Sequence, residues 1–282
     1  MNRAGRRVPL WVRGVVPLAA IAVLVAGWAA VVAVFGIPSY VLPSPAETVA
    51  AITADWPELS RGALATTQVF VAGFLAGTAG GFLVAVVMAQ VDWVRRALYP
   101  ILIASQAVPI IAIGAALVIW LGFGLAPKLV IVALIVFFPV VVNVLDGLAA
   151  VDEDMVDLAR AMGASRRKIF VTVRLPATYT PLFSALKMTA TFSVTGAVLG
   201  EQAASSSGGL GTYLAEQQSR LNAPAVFGDI VLLAVIGIVA FALIAGLEWL
   251  ATPWRRGSLA PKRRRYRPAA DPAQALDVVR AG

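Results

Sequence analysis

Residues 129–145 read LVIVALIVFFPVVVNVL, a run that contains no charged side chain. Five comparable apolar runs flank it along the chain: Val15–Phe35, Ala63–Met88, Ala97–Leu121, Thr180–Gly200 and Val226–Leu250. Each run is close to the roughly 20 residues with which a helix crosses the hydrocarbon core of a bilayer, about 30 Å thick. The sequence therefore predicts an all-α membrane protein with six transmembrane helices.

The composition of the chain supports this class and argues against most others. Of the 282 residues, 60% are hydrophobic and 13% are charged, whereas a soluble domain is nearer half apolar and a quarter charged. The sequence has no cysteine and no histidine. It therefore lacks the thiolate nucleophile, the commonest general base and the commonest metal ligand. These absences argue against an enzyme, and no cofactor is predicted.

The basic residues are unevenly distributed between the predicted loops. With both termini in the cytoplasm, nineteen of the 23 lysines and arginines fall on the cytoplasmic side, as the positive-inside rule requires. The net charge of +8 thus indicates topology and contact with anionic lipid, not binding of nucleic acid. We predict a basic cytoplasmic segment at 1–14, a membrane domain at 15–250 and a basic, disordered cytoplasmic tail at 251–282.

The connection between the fourth and fifth runs is unusually long for a helix bundle, whose helix–helix connections are about 2–8 residues. Asp152 is placed to cap a first short helix, and Gly163 to stop it in a left-handed conformation. Ser165 is placed to cap a second helix, which Leu175-Pro176 should end. Short amphipathic helices are marginal alone in water, so this pair needs a partner surface, either the bilayer or another protein.

The spacing of this connection resembles the EAA motif of ABC-importer permeases. That motif reads Glu-Ala-Ala, three residues, Gly, nine residues, Ile, one residue, Leu-Pro. The chain has Asp157-Leu158-Ala159, Gly163, Val173 and Leu175-Pro176 at the same spacing, with Asp, Leu and Val as the departures. Other stretches resemble the nitrate/sulfonate/taurine branch: residues 105–109 (SQAVP), 120–124 (WLGFG), 137–139 (FFP), 146–148 (DGL), 200–201 (GE) and 208–211 (GGLG). The resemblance covers roughly residues 40–250.

The resemblance implies a type I importer permease in the bacterial inner membrane. It implies a homodimer with two ATPase subunits and an extracytoplasmic binding protein, so ATP would be bound elsewhere. It also implies that residues 150–178 form a coupling loop that docks on the ATPase. The coupling residues would be Asp157, Leu158, Ala159, Met162, Gly163, Ala164, Ser165, Ile169, Phe170, Leu175 and Pro176.

The fifth run carries an unusual number of polar side chains for a membrane span. At helical periodicity five residues form one stripe, and we predict that they line the translocation path together with Gln106; the alternative is interhelical hydrogen bonding. The stripe consists of Ser184, Lys187, Met188, Thr191 and Thr195. For Lys187 two interpretations are open, namely snorkelling to the interface and attraction of an anionic substrate. The opposite face, with Thr189, Ser193, Gly196 and Gly200, should pack on a neighbouring helix.

Two further glycine-rich features have alternative interpretations. Gly73, Gly77 and Gly81 form a ridge of small residues in the second run, which suits close helix packing within the subunit or between subunits. After the fifth run, Glu201, Gly209 and Gly211 are predicted to form an outer gate or a contact with the binding protein, and the alternative is a flexible loop.

The runner-up function is a stand-alone secondary transporter or channel. Such proteins normally carry ionisable groups near the bilayer midplane, and only Lys187 lies well inside a predicted span. The sequence does not specify the substrate, although some stretches resemble permeases for nitrate, sulfonates, taurine, pyrimidine thiamine precursors or riboflavin.

Overall fold

The computed structural model describes residues 10–204 and 208–253, and all regular secondary structure in these ranges is helical. Residues 1–9 and 254–282, which hold most of the predicted basic N-terminus and tail, lie outside the described part. The helices are α1 (Leu10–Phe35), α2 (Pro45–Ala54), α3 (Trp56–Gln90), α4 (Asp92–Ser105), α5 (Ile110–Leu121), α6 (Leu125–Ala149), α7 (Glu153–Ala161), α8 (Arg166–Ile169), α9 (Leu175–Ala204), α10 (Leu210–Ser219) and α11 (Ala223–Ala251).

Five helical segments are long and apolar enough to cross a membrane. They are α1, α3, α6, the continuous segment at 166–204 that ends as α9, and α11. The helices α4 and α5 together pass the same test but are bent by 102° at their junction, so the described part holds five or six spans. The prediction of an all-α, multi-span architecture is confirmed.

The third predicted span, Ala97–Leu121, is not one continuous helix. It is split where α4 ends at Ser105 and α5 begins at Ile110. Pro109 explains the break, because a proline ring clashes with the carbonyl four residues earlier and cannot donate a helical hydrogen bond. Gln106, a predicted path residue, lies in this break and is exposed.

The second helix of the long connection does not end at Leu175-Pro176, contrary to the prediction. It runs from α8 through one π-helical segment, Phe170–Arg174, directly into α9. The Leu175 amide donates to the Phe170 carbonyl, five residues back. A π turn is wider than an α turn, and this widening lets the chain accommodate Pro176 without breaking the helix.

The centre of the bundle is α6, which packs against α3 on one side and α9 on the other. Its buried positions are dominated by β-branched valines, which interlock with smaller residues on its neighbours. The main core consists of Val69, Phe70, Phe74, Ala85 and Met88 of α3; Val132, Val136, Val140, Val141, Val144, Leu145 and Leu148 of α6; Leu186, Ala190, Val194 and Ala197 of α9; and Ala240 of α11.

The glycine ridge of α3 forms the close contact with α6. A Cβ built on Gly73 would lie 2.6 Å from the Val132 Cβ, and one built on Gly81 would lie 2.8 Å from the Phe137 carbonyl oxygen. On Gly77 a Cβ would collide with the Ala133 carbonyl. The ridge thus serves packing within the subunit, which is one of the two interpretations offered by the sequence.

The two ends of the bundle are distinct. At one end α6 passes into α7 and α8, and we call this the α7 end. At the other end α6 begins, α9 finishes and α10 packs against α3, α9 and α11, and we call this the α10 end. A small second core of Leu59, Leu210, Tyr213 and Ala225 lies at the α10 end.

Candidate functional site

The helix caps and the glycine turn in the long connection fold as predicted from the sequence. Asp152 caps α7 by accepting a hydrogen bond from the Asp154 amide at 3.0 Å. Gly163 has φ +79°, and the amides of Gly163 and Ala164 bond back to the carbonyls of Arg160 and Ala159. This pattern is a Schellman motif, which ends a helix with a left-handed residue.

Three large apolar side chains on α7 and its C-cap residue are exposed on the surface of the chain. Met155 is 59% exposed, Leu158 62% and Met162 79%. The spacing of three and four residues puts them on one face of the helix. An apolar face of this kind on a short capped helix is suited to a protein groove or to the membrane interface.

The other side of the connection is anchored to the bundle. Val156 and Ile169 are buried, and Phe170 is partly buried against the main core. Of the predicted coupling residues, Ile169 and Phe170 therefore face inward in this chain. Asp157, the first motif position, is exposed and pairs with Arg160 at 2.7 Å.

The remaining predicted coupling residues occupy defined positions around the turn. Ser165 caps α8 by accepting a hydrogen bond from the Lys168 amide at 3.3 Å. Ala159 and Ala164 are half-buried at either side of Gly163. Leu175 and Pro176 are also half-buried, just after the π turn.

The polar stripe of α9 lies on a face that the described residues leave largely open. Ser184, Thr191 and Thr195 are exposed, and Met188 is 49% exposed. Lys187 is the exception, because its ammonium pairs with the Glu248 carboxylate on α11 at 2.7 Å. A third interpretation of Lys187 is therefore that it links α9 to α11 through an ion pair. It stands beside the two interpretations drawn from the sequence, snorkelling and attraction of an anionic substrate.

The opposite face of α9 packs against α6, as predicted. Thr189, Ser193, Gly196 and Gly200 are all buried. A Cβ on Gly200 would lie 3.0 Å from the Lys128 Cα, so the two backbones are in close contact. Small residues permit this approach between membrane helices.

At the α10 end the structure brings Glu201, Gly209 and Gly211 together. The Glu201 carboxylate is 1% exposed and accepts hydrogen bonds from the Thr66 hydroxyl at 2.9 Å and the Gly211 amide at 2.7 Å. Gly209 is the N-cap of α10, and a Cβ there would collide with that carboxylate. The carboxylate thus lies at the positive end of α10, where negative charge is stabilised.

This arrangement connects three helices through one buried carboxylate. Thr66 belongs to α3, Glu201 to α9 and Gly211 to α10, and Thr66 also accepts from the Leu210 amide at 2.9 Å. Nearby, the Tyr213 hydroxyl donates to Asp55 at 2.7 Å. Burial and that hydrogen bond raise the pKa of Tyr213 above its ordinary value.

Sequence reasoning missed three buried polar residues at this end. Thr66 and Asp229 are 0% exposed and Lys128 is 5% exposed. Both Asp229 carboxylate oxygens lack a hydrogen-bond partner among the described residues. Asp229 lies only three residues inside an apolar run and Lys128 just before another, so their positions suggested loop edges. The sequence did offer one signal of their burial, because each is a polar residue on an otherwise apolar helix face.

The bundle of long apolar helices, with a capped helix pair between its fourth and fifth predicted spans, defines a multi-pass membrane protein. The sequence pattern of the family described as "Binding-protein-dependent transport system inner membrane component" matches residues 77–251. The chain belongs to this family, and it is the permease subunit of an ABC importer.

Several relatives agree with this assignment along most of the chain. The formylaminopyrimidine transport permease protein of Halalkalibacterium halodurans is 33% identical over 219 residues, covering 77% of this chain and 87% of the relative. The riboflavin transport system permease protein of Chloroflexus aurantiacus is 30% identical, covering 80% and 85%. The putative aliphatic sulfonates transport permease protein of Bacillus subtilis is 26% identical, covering 90% and 91%. Such permeases are transport components, and a separate subunit hydrolyses ATP.

Proposed function

We propose that two copies of this chain form the membrane part of the importer, with both termini in the cytoplasm. Two ATPase subunits bind at the α7 end, and an extracytoplasmic binding protein delivers a small solute at the α10 end. ATP-driven closure of the ATPases moves the helix pair α7–α8, and the bundle alternates the side to which its path opens.

The observation that carries this proposal is the exposed apolar face of α7. Met155, Leu158 and Met162 are presented outward, whereas Val156 on α7 is buried. The π turn joins α8 to α9 without a break. A displacement of the docked pair is therefore transmitted directly into a membrane-spanning helix.

The polar stripe of α9 supports a translocation path along the same helix. Thr191 and Thr195 are exposed on a long apolar helix that the bundle buries on its opposite side. Polar side chains at membrane depth normally face protein or a water-filled cavity. In the dimer this face would line the path. Gln106, in the break between α4 and α5, would line it as well.

The names of the relatives suggest which classes of solute this chain transports. Their names specify a formylaminopyrimidine, riboflavin and aliphatic sulfonates. We therefore place the cargo among small polar solutes, either nitrate-, sulfonate- or taurine-like or a pyrimidine precursor of thiamine.

Replacing Leu158 with aspartate should reduce co-purification of the cognate ATPase at least about tenfold, because a charge would then be buried in the docking groove. The chain is tagged, extracted in detergent and purified with the ATPase co-expressed. Leu158 is 62% exposed, so the substitution should leave the bundle folded.

Leu221→Asp is the matched control, because Leu221 is 81% exposed at the opposite end of the molecule. It should retain the ATPase fully. If Leu158→Asp also retains it, α7 is not the docking site. If the wild type purifies alone and moves solute without ATP, the stand-alone transporter or channel replaces the importer.

A further inference from the structure

A groove of about 520 Å³ opens at the α10 end between α3, α6 and the end of α9. Its volume falls in the range of sites for small molecules. Most of its lining is apolar, with a few polar groups among small side chains. It is lined by Ala65, Gln68, Val69, Ala72, Gly124, Leu125, Lys128, Leu129 and Glu201.

Lys128 is the unusual residue of this groove. It is 5% exposed, and its ammonium forms no hydrogen bond or ion pair with any residue in 10–204 or 208–253. A buried charge is costly unless it is paired. The free ammonium is accordingly available to a ligand.

The backbone adds a second source of positive potential. Lys128 lies in the first turn of α6, whose N-cap Gly124 supplies no side-chain acceptor. The free amides of Leu125 and Ala126 and the helix dipole make this end positive, although Pro127 has no amide hydrogen. A lysine there is unfavourable for the helix itself. A negative group bound in the groove would offset both.

Two carboxylates lie nearby but do not fill this role. Glu201 interacts electrostatically with Lys128, yet the two side chains form no direct ion pair. The Glu201 oxygens already accept from Thr66 and Gly211. Asp229 interacts with Glu201 but does not line the groove.

The geometry points to an oxyanion site in this groove, in which the Lys128 ammonium and the first turn of α6 bind the carboxylate, sulfonate or phosphate group of a small solute. Gln68, exposed on the facing helix, supplies a further hydrogen-bond donor. The inference rests on the proposed function only in regarding that solute as the cargo.

The absence of cysteine from the chain permits a direct test. Ala65→Cys places one thiol in the groove of the full-length protein, reconstituted in phosphatidylcholine nanodiscs. Its reaction rates with anionic methanethiosulfonate ethylsulfonate and cationic methanethiosulfonate ethyltrimethylammonium are compared. Lys128→Gln in this background should lower the anionic-to-cationic rate ratio about tenfold, because it removes a nearby unit charge.

Ethanesulfonate or phosphate at millimolar concentration should protect the thiol, and Lys128→Gln should abolish protection.

Arg220→Gln is the matched control, since it removes the same charge from an exposed position at the α10 end, and it should change neither readout. An unchanged ratio and no protection would overturn the oxyanion site and leave Lys128 as a countercharge for Glu201. Protection by added phosphatidylglycerol but by neither soluble anion would overturn the solute assignment. If Lys128→Gln fails to fold, the Ala65→Cys protein with Lys128 intact still tests the site. Protection of its thiol by either soluble anion supports anion binding in the groove, and no protection contradicts it. No ATPase is present, so failure here is separate from failure of coupling.

Discussion

Gly163→Pro should reduce binding-protein-stimulated ATP hydrolysis by the reconstituted importer at least about tenfold. Gly163 has φ +79°, whereas proline is fixed near −65° and has no amide hydrogen to donate. The bond from the Gly163 amide to the Arg160 carbonyl, 2.9 Å long, is also lost. The turn between α7 and α8 would open, and the exposed face of α7 would lose its orientation.

The effect should be confined to the turn. No atom lies within 4 Å of a Cβ built on Gly163, so the damage comes from backbone geometry alone and the spans should remain folded. Gly163→Asn is the control, because asparagine tolerates the left-handed region, and it should retain most of the activity. Wild-type hydrolysis by the proline variant would show that this turn does not transmit coupling.

Gly77→Ala should destabilise the bundle by about 2–3 kcal/mol, seen as a lower melting temperature in detergent. A Cβ on Gly77 would collide with the Ala133 carbonyl and lie 2.9 Å from the Val136 Cβ. Backbone atoms cannot rotate away, so α3 and α6 must separate along their contact, and overpacking of this kind typically costs 1–3 kcal/mol.

Gly80→Ala is a control on the same helix with the opposite expectation. Its Cβ would meet only the Phe137 Cδ2 at 3.8 Å, an ordinary contact. Alanine is favoured over glycine in a helix by roughly 1 kcal/mol, so this variant should be neutral or more stable. Equal effects of the two substitutions would refute the close α3–α6 contact.

Local signals in the sequence were sufficient to predict much of the fold and of the long connection between α6 and α9. The capping residues Asp152 and Ser165, and the left-handed Gly163, act within a few residues of themselves. Their conformations therefore follow from nearby sequence. The small face of α9 was predictable because helical periodicity alone groups its residues.

The two prolines show where local reasoning fails. Pro109 breaks its predicted span, whereas Pro176 is absorbed by a π turn in a continuous helix. The local steric rule is the same for both. The local sequence around each proline does not predict which response occurs.

The polar residues of the α10 end depend on contacts between distant parts of the chain. Thr66 meets Glu201 across 135 positions, and Lys128 becomes buried only because α3, α6 and α9 converge. Each residue alone is compatible with a solvated loop end. Their burial follows from the three-dimensional arrangement of the helices.

The most direct test of coupling through α7 is site-specific photo-cross-linking. A benzophenone amino acid is introduced at Met162, which is 79% exposed, in membranes containing the assembled importer, and at Leu221 as the control. The account predicts an adduct between this chain and the ATPase from position 162 and none from position 221. Illumination that yields only lipid adducts at position 162 would contradict it.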